Sequence, residues 1–109
     1  MLWKLDGTKL SNLAGVTLTG NWKPPRPGIS RSIQKTDDKE GNRYLSVDAN
    51  TADQSAVVKE TLDPKDYWET IKADRTGYFH LKHSRSGKFL AGNNITNATL
   101  TIKGMSYSK

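Results

Sequence analysis

The chain has 109 residues, 34% of them apolar, a formal net charge of +6 and no cysteine, with a pI of about 9.7 and a mean hydropathy of -0.73. That length makes one domain, residues 1–109, and the three Trp, four Tyr and two Phe exclude simple disorder, which is poor in aromatics. The missing cysteines exclude a disulfide framework, thiol chemistry and cysteine-based metal sites, and no run approaches the ~18 apolar residues of a membrane helix, so no membrane insertion is expected.

In chain order the sequence reads as strand and turn. "MLWKLDGTKL" has no apolar signal-peptide core, which predicts a cytoplasmic protein or one exported without a classical signal. "GVTLTG" reads as a strand. "GNWKPPRPGIS" opens on Trp22 and places Pro24, Pro25 and Pro27 in an extended loop or on an edge, because proline removes a ladder donor. "ISRSIQK" reads as one strand with Ile29 and Ile33 as its apolar members, and "KTDDKEGN" as a charged hairpin end closed by Gly41. "RYLSVDA", the polar turn "ANTADQ" and "SAVVKETL" follow. "LDPKDYWETI" predicts a capped turn, with Asp63 as the cap and Pro64 in the first position. "YWETIKA", "YFHLKHS", "KFLAG" and "ATLTIKGM" complete about nine short strands. The class is all-β.

A pattern recurs along these strands. Three stretches, "WKLDGTKLSNLAGVTL", "GISRSIQKTDDKEGNRYL" and "YWETIKADRTGYFHLKHSRSGKFL", each carry a β run, a polar loop, a glycine and, three or four residues on, a leucine: Leu18 after Gly15, Leu45 after Gly41 and Leu90 after Gly87. Trp3 and Trp68 precede two of them. The outer leucines are separated by two periods of roughly 36 residues, and repeats of this size dictate architecture. Three short-stranded units predict a β-trefoil, a closed barrel capped by hairpins.

Within Asn42 to Asn94 the residues resemble ricin-type β-trefoil lectin repeats. Ser86, Gly87, Lys88 and Leu90 match the opening of a repeat, Leu45 and Val47 match the preceding one, and Trp68 matches the tryptophan of a Gln-x-Trp motif in which Asp66 replaces the glutamine. The N-terminal third departs from the pattern. There "TKLS" and "TGNWKPPRPGIS" resemble small fungal immunomodulatory proteins, which implies the alternative of an immunoglobulin-like β-sandwich.

The candidate chemistry is that of binding. His80 and His83 lie three apart in a strand run, so alternation sends them to opposite faces and no metal site is expected. No pair among the scattered carboxylates stands out for glycoside hydrolysis, and there is no nucleophile elbow and no P-loop; no catalytic residue and no cofactor are expected. The lectin resemblance implies a non-enzymatic carbohydrate-binding protein with shallow, turn-based sites. The turn after Val47 supplies Asp48, Asn50, Asp53 and Gln54, and the turn after Leu90 supplies Asn93 and Asn94. Trp22 has two places open to it, stacked on the C–H face of a sugar or lidding the core, and it joins the candidate ligand set. Partners would be glycans or glycoproteins, with multivalent sites and a homo-oligomer compatible with that role. The alternative is an interaction protein. Either an anionic polymer, sulfated glycan or nucleic acid, docks on Lys23, Arg26, Lys82, Arg85 and Lys88, or the rigid "KPPRPG" loop acts as a protease inhibitor.

Overall fold

A computed structural model describes residues 2–36, 39, 41–47, 56–91 and 99–100. The strands are β1 (Trp3–Asp6), β2 (Lys9–Asn12), β3 (Thr17–Leu18), β4 (Trp22–Lys23), β5 (Ser30–Arg31), β6 (Gln34–Lys35), β7 (Arg43–Val47), β8 (Ala56–Lys59), β9 (Trp68–Lys72), β10 (Phe79–His83), β11 (Phe89–Leu90) and β12 (Thr99–Leu100). The domain is all-β, as the sequence predicts. Its one helical feature among the described residues is a 3-10 turn, Pro64–Asp66, whose N-cap Asp63 accepts a hydrogen bond from the Lys65 amide at 2.9 Å. No helix among the described residues is long and apolar enough to cross a membrane.

Two curled sheets share the strands. In the larger, the order β12-β11-β10-β1-β2-β3 is joined by β9, which pairs β10 on one side and β5 on the other; the smaller runs β4-β6-β7-β8. Among the described residues every pairing is antiparallel except the short parallel β11–β12 pair. Strand β10 is the hub. One edge takes β9 from His83↔Trp68 to Phe79↔Lys72. The other edge is divided, with Phe79 paired to Trp3 of β1 and Lys82 paired to Phe89 of β11.

Local sequence explains the hairpins. Asp6↔Lys9 pairing leaves a two-residue loop, Gly7-Thr8, and Gly7 sits at φ +64°, the left-handed conformation that tight hairpin turns require. Asn12 organises the β2–β3 connection: its Oδ1 accepts from the Ala14 and Val16 amides at 3.0 and 2.9 Å, an Asx-type arrangement that spares the backbone other partners.

The core gathers Trp3, Leu10, Leu18, Trp22, Ile33, Leu45, Ala56, Trp68, Leu81 and Leu90. Leu18, Leu45 and Leu90, the leucines of the recurring pattern, are all fully buried in this one cluster. The tryptophans follow the pattern too. Trp3 Nε1 donates to the Leu90 carbonyl at 3.0 Å and Trp68 Nε1 to the Leu45 carbonyl at 3.1 Å. Trp22 Nε1 donates to the Thr19 carbonyl, one residue past Leu18, at 3.1 Å. Each indole thus buries its ring and satisfies its single polar atom at or beside one patterned leucine.

Two details differ from the sequence expectation. "ISRSIQK" is two strands, because β5 pairs β9 in the larger sheet and β6 pairs β7 in the smaller, with fully buried Ile33 at the crossing and Ile29 left 41% exposed. The hairpin β1–β2 was absent from the expected strands: "WKLDGTKLSN" lacks Val and Ile and looks polar, since Lys4, Asp6 and Lys9 alternate outward. The prolines Pro24, Pro25 and Pro27 lie outside every strand, as expected, in the connection from edge strand β4 to β5.

Candidate binding groove

The turn between β9 and β10 and the proline-rich connection face each other across an open groove. The turn begins where Ala73 N donates to the Tyr78 carbonyl (3.1 Å) and tightens where Tyr78 N donates to the Arg75 carbonyl (3.0 Å). Gly77, at φ +83°, lets the chain reverse. The opposite wall is shaped by Ile29 N donating to the Arg26 carbonyl at 3.2 Å across Pro27 and Gly28. Gly28 lies at φ +87°, so the Pro-Gly pair occupies the central positions as a type II turn demands.

The space between them is about 530 Å³, within the size range of small-ligand sites. Its floor is the open end of the larger sheet. Alternation aims Trp3 and Leu5 at the same side of β1, but Trp3 is fully buried while Leu5, one turn of the pleat further out, remains 44% exposed. Trp68, Thr70 and Lys72 likewise share one side of β9, running from the core outward to solvent. Leu5, Phe79, Tyr78 and the three prolines give the groove flat apolar surfaces, and Thr70, Lys72, Asp74, Thr76 and Arg26 supply its polar groups. Tyr78 is clasped by cations: the Arg75 guanidinium carbon lies 4.6 Å and Lys4 Nζ 5.8 Å from the ring centroid, within cation–π range. Thr70 is 93% buried, at 7% exposure, and its hydroxyl has no hydrogen-bond partner.

A second polar cluster sits below the opposite end of β10. His83 Nε2 meets Asp66 Oδ1 at 3.0 Å and His83 Nδ1 meets Ser86 Oγ at 2.9 Å, with the edge of Trp68 against the ring, centroids 5.0 Å apart. A carboxylate only accepts, so Nε2 donates to Asp66 and Nδ1 takes the Ser86 hydroxyl. In the hydrolase template the histidine is turned the other way, Nδ1 to the acid and Nε2 to the serine. Here Ser86 Oγ also accepts from the Lys88 amide (3.2 Å), and the Gly87 amide is spent on the His83 carbonyl (2.8 Å). The cluster therefore fastens the β10–β11 turn to the 3-10 turn. His80, on the opposite face of β10 as alternation requires, packs its ring edge against Phe89.

Of the sugar-contact residues expected from sequence, Asp48, Asn50, Asp53, Gln54, Asn93 and Asn94 lie outside the described residues. Trp22 is corrected: it is 2% exposed and part of the core. Its backbone amide donates to the Thr8 carbonyl at 3.0 Å, tying β4 to the first hairpin and turning the indole inward. Of the five basic candidates, Arg26 alone lines the groove; Lys82, Arg85 and Lys88 belong to the β10–β11 hairpin and Lys23 to the edge strand β4. Alternation sends Lys82 to the face away from Leu81 and His83. The groove residues Lys72, Asp74 and Tyr78 were not among the sequence candidates; the signal available was an aromatic, Tyr78, directly after Gly77. No protein-family model, curated protein or solved structure matches this chain.

Proposed function

We propose that the protein is a small β-trefoil domain that binds carbohydrate without converting it, with the sugar seated in the groove between the proline-rich connection and the β9–β10 turn. The observation that carries this is the pairing of flat apolar walls, from Pro24, Pro25, Pro27 and Tyr78, with short polar groups at Thr70, Asp74 and Thr76. A pyranose offers the same two kinds of surface, a carbon-bound hydrogen face and a rim of hydroxyls. Proline rings and a clasped tyrosine lose little conformational freedom on binding, which favours affinity from a shallow site. The trefoil assignment is supported by the three buried leucines and the indole hydrogen bonds that repeat beside them. Under the same reading Asp48, Asn50, Asp53, Gln54, Asn93 and Asn94 supply secondary sugar sites.

The test is a glycan array at physiological salt followed by an NMR titration of the best ligand. Amide shifts should centre on Thr70, Lys72 and Asp74 to Phe79. An array without a single carbohydrate hit, or shifts that leave this region untouched, would overturn the proposal. The rival, an anionic polymer held by Lys23, Arg26, Lys82, Arg85 and Lys88, is favoured by the net charge of +6. It predicts binding to any polyanion and a steep loss between ~50 and ~200 mM salt. The inhibitor alternative is less supported, because the proline rings line the groove rather than presenting a free strand.

A further inference from the structure

We propose that the groove selects an acidic saccharide, a sugar carrying a carboxylate or a sulfate ester, with Arg26 and Lys72 as the groups that choose the charge. This rests on the carbohydrate reading of the groove and narrows it. Arg26 and Lys72 stand among the groove's lining residues, whereas Asp74 is the one acid there. Arg75 and Lys4 add two more positive charges against the Tyr78 ring. Among the described residues none of these four cations lies within ion-pair distance of a carboxylate; the ion pairs found are Arg43–Glu60 and His83–Asp66. Two lining cations to one lining acid, with Arg75 and Lys4 flanking them at Tyr78, make the local field positive, and the apolar walls strengthen it by limiting solvent screening. A second, independent feature points to a ligand. The Thr70 hydroxyl, buried in the groove wall, makes no hydrogen bond within the protein. Such a group is costly to leave unsatisfied; it is closed off in the ligand-free protein, so a rotation of the Thr70 side chain on binding is what would bring it to an oxygen-rich ligand. Neutral sugars would gain the apolar walls and the hydroxyl but leave the cations unanswered, and an acidic ring answers both.

The experiment uses the full chain and a glycan array carrying matched neutral, carboxylated and sulfated saccharides, probed with three proteins. These are the wild type, Arg26→Gln/Lys72→Gln, and a control, Lys82→Gln/Arg85→Gln, which removes equal charge outside the groove. All four substitutions fall on exposed or partly exposed positions, and thermal unfolding of each variant verifies the fold. The wild type is expected to favour acidic over neutral members at least about tenfold, since charge-assisted hydrogen bonds are the strong ones. The groove pair of substitutions should erase that preference and the control should keep it. Wild-type binding of neutral and acidic sugars alike overturns the inference while the carbohydrate reading stands. Loss of the preference in the control rather than in the groove variant also overturns it, and moves the charge site to the β10–β11 hairpin. No binding to any sugar overturns both.

Discussion

Single residues carry two experiments. Thr70 is buried with an unpaired hydroxyl, so Thr70→Val removes a cost while nearly keeping the shape. The ligand-free protein should gain up to about 1 kcal/mol in urea unfolding, and sugar affinity should fall, because the hydroxyl is then missing when the ligand arrives. A structural role alone would move stability without touching affinity. His83→Ala tests the buried cluster. It leaves the Asp66 carboxylate without its ring partner, and losing one side of a buried polar pair costs about 1–3 kcal/mol or more. Asp66→Asn, which can still accept from Nε2, should lose less. Nothing local announces this pairing: Asp66 stands out only as a departure from a Gln-x-Trp motif, and a contact between a 3-10 turn and a strand end has no local signature. Trp22 was ambiguous for a related reason. Its neighbours Asn21 and Lys23 are polar, and what turns the ring inward is the hydrogen bond of its amide to Thr8, a non-local fact.

At the scale of elements, turn chemistry was the most legible feature. Asp63-Pro64 marked the capped turn, Gly41 the end of a charged hairpin, and the proline cluster a stretch outside the sheets. Strand partition was less so, since "ISRSIQK" contains no glycine or proline to announce that its halves join different sheets. Gly28 and Gly77 shape the two walls of the groove, and a Cβ on either would meet nothing within 4 Å. Substitution by alanine is therefore penalised by backbone conformation alone, about 1–2 kcal/mol for a left-handed residue. Each of Gly28→Ala and Gly77→Ala should lower the free energy of unfolding measured in urea by that amount. A smaller loss combined with a changed ligand affinity would mean that the turn relaxes and the wall moves with it.

Over the whole molecule, the recurring glycine–leucine pattern made part of the core visible in advance, because a leucine soon after a turn glycine stays recognisable even where the strand that carries it is very short. The groove was not visible, since it joins the end of β1, the β4–β5 connection and the β9–β10 turn, segments far apart in the chain and ordinary by themselves. All three tryptophans are buried, at 0%, 2% and 0% exposure for Trp3, Trp22 and Trp68. Native fluorescence should be blue-shifted from that of the unfolded chain and resistant to iodide until unfolding. Quenching of one third of the native emission by iodide would show that an indole, Trp22 first, reaches solvent.

The place of β1 in the sheet carries a consequence for how the protein is made. This strand is wedged between β2 and β10, and the Trp3 indole finds its acceptor at Leu90, 87 residues later. During translation at ~5–20 residues per second, the first tryptophan therefore waits several seconds for the segment that completes its surroundings. The hairpin β1–β2 can form early, but an isolated hairpin is marginal in water. Nascent chains that stop short of β10 should leave Trp3 open to chaperones and proteases, and should become protected together, in one step, once the β9–β11 region has emerged.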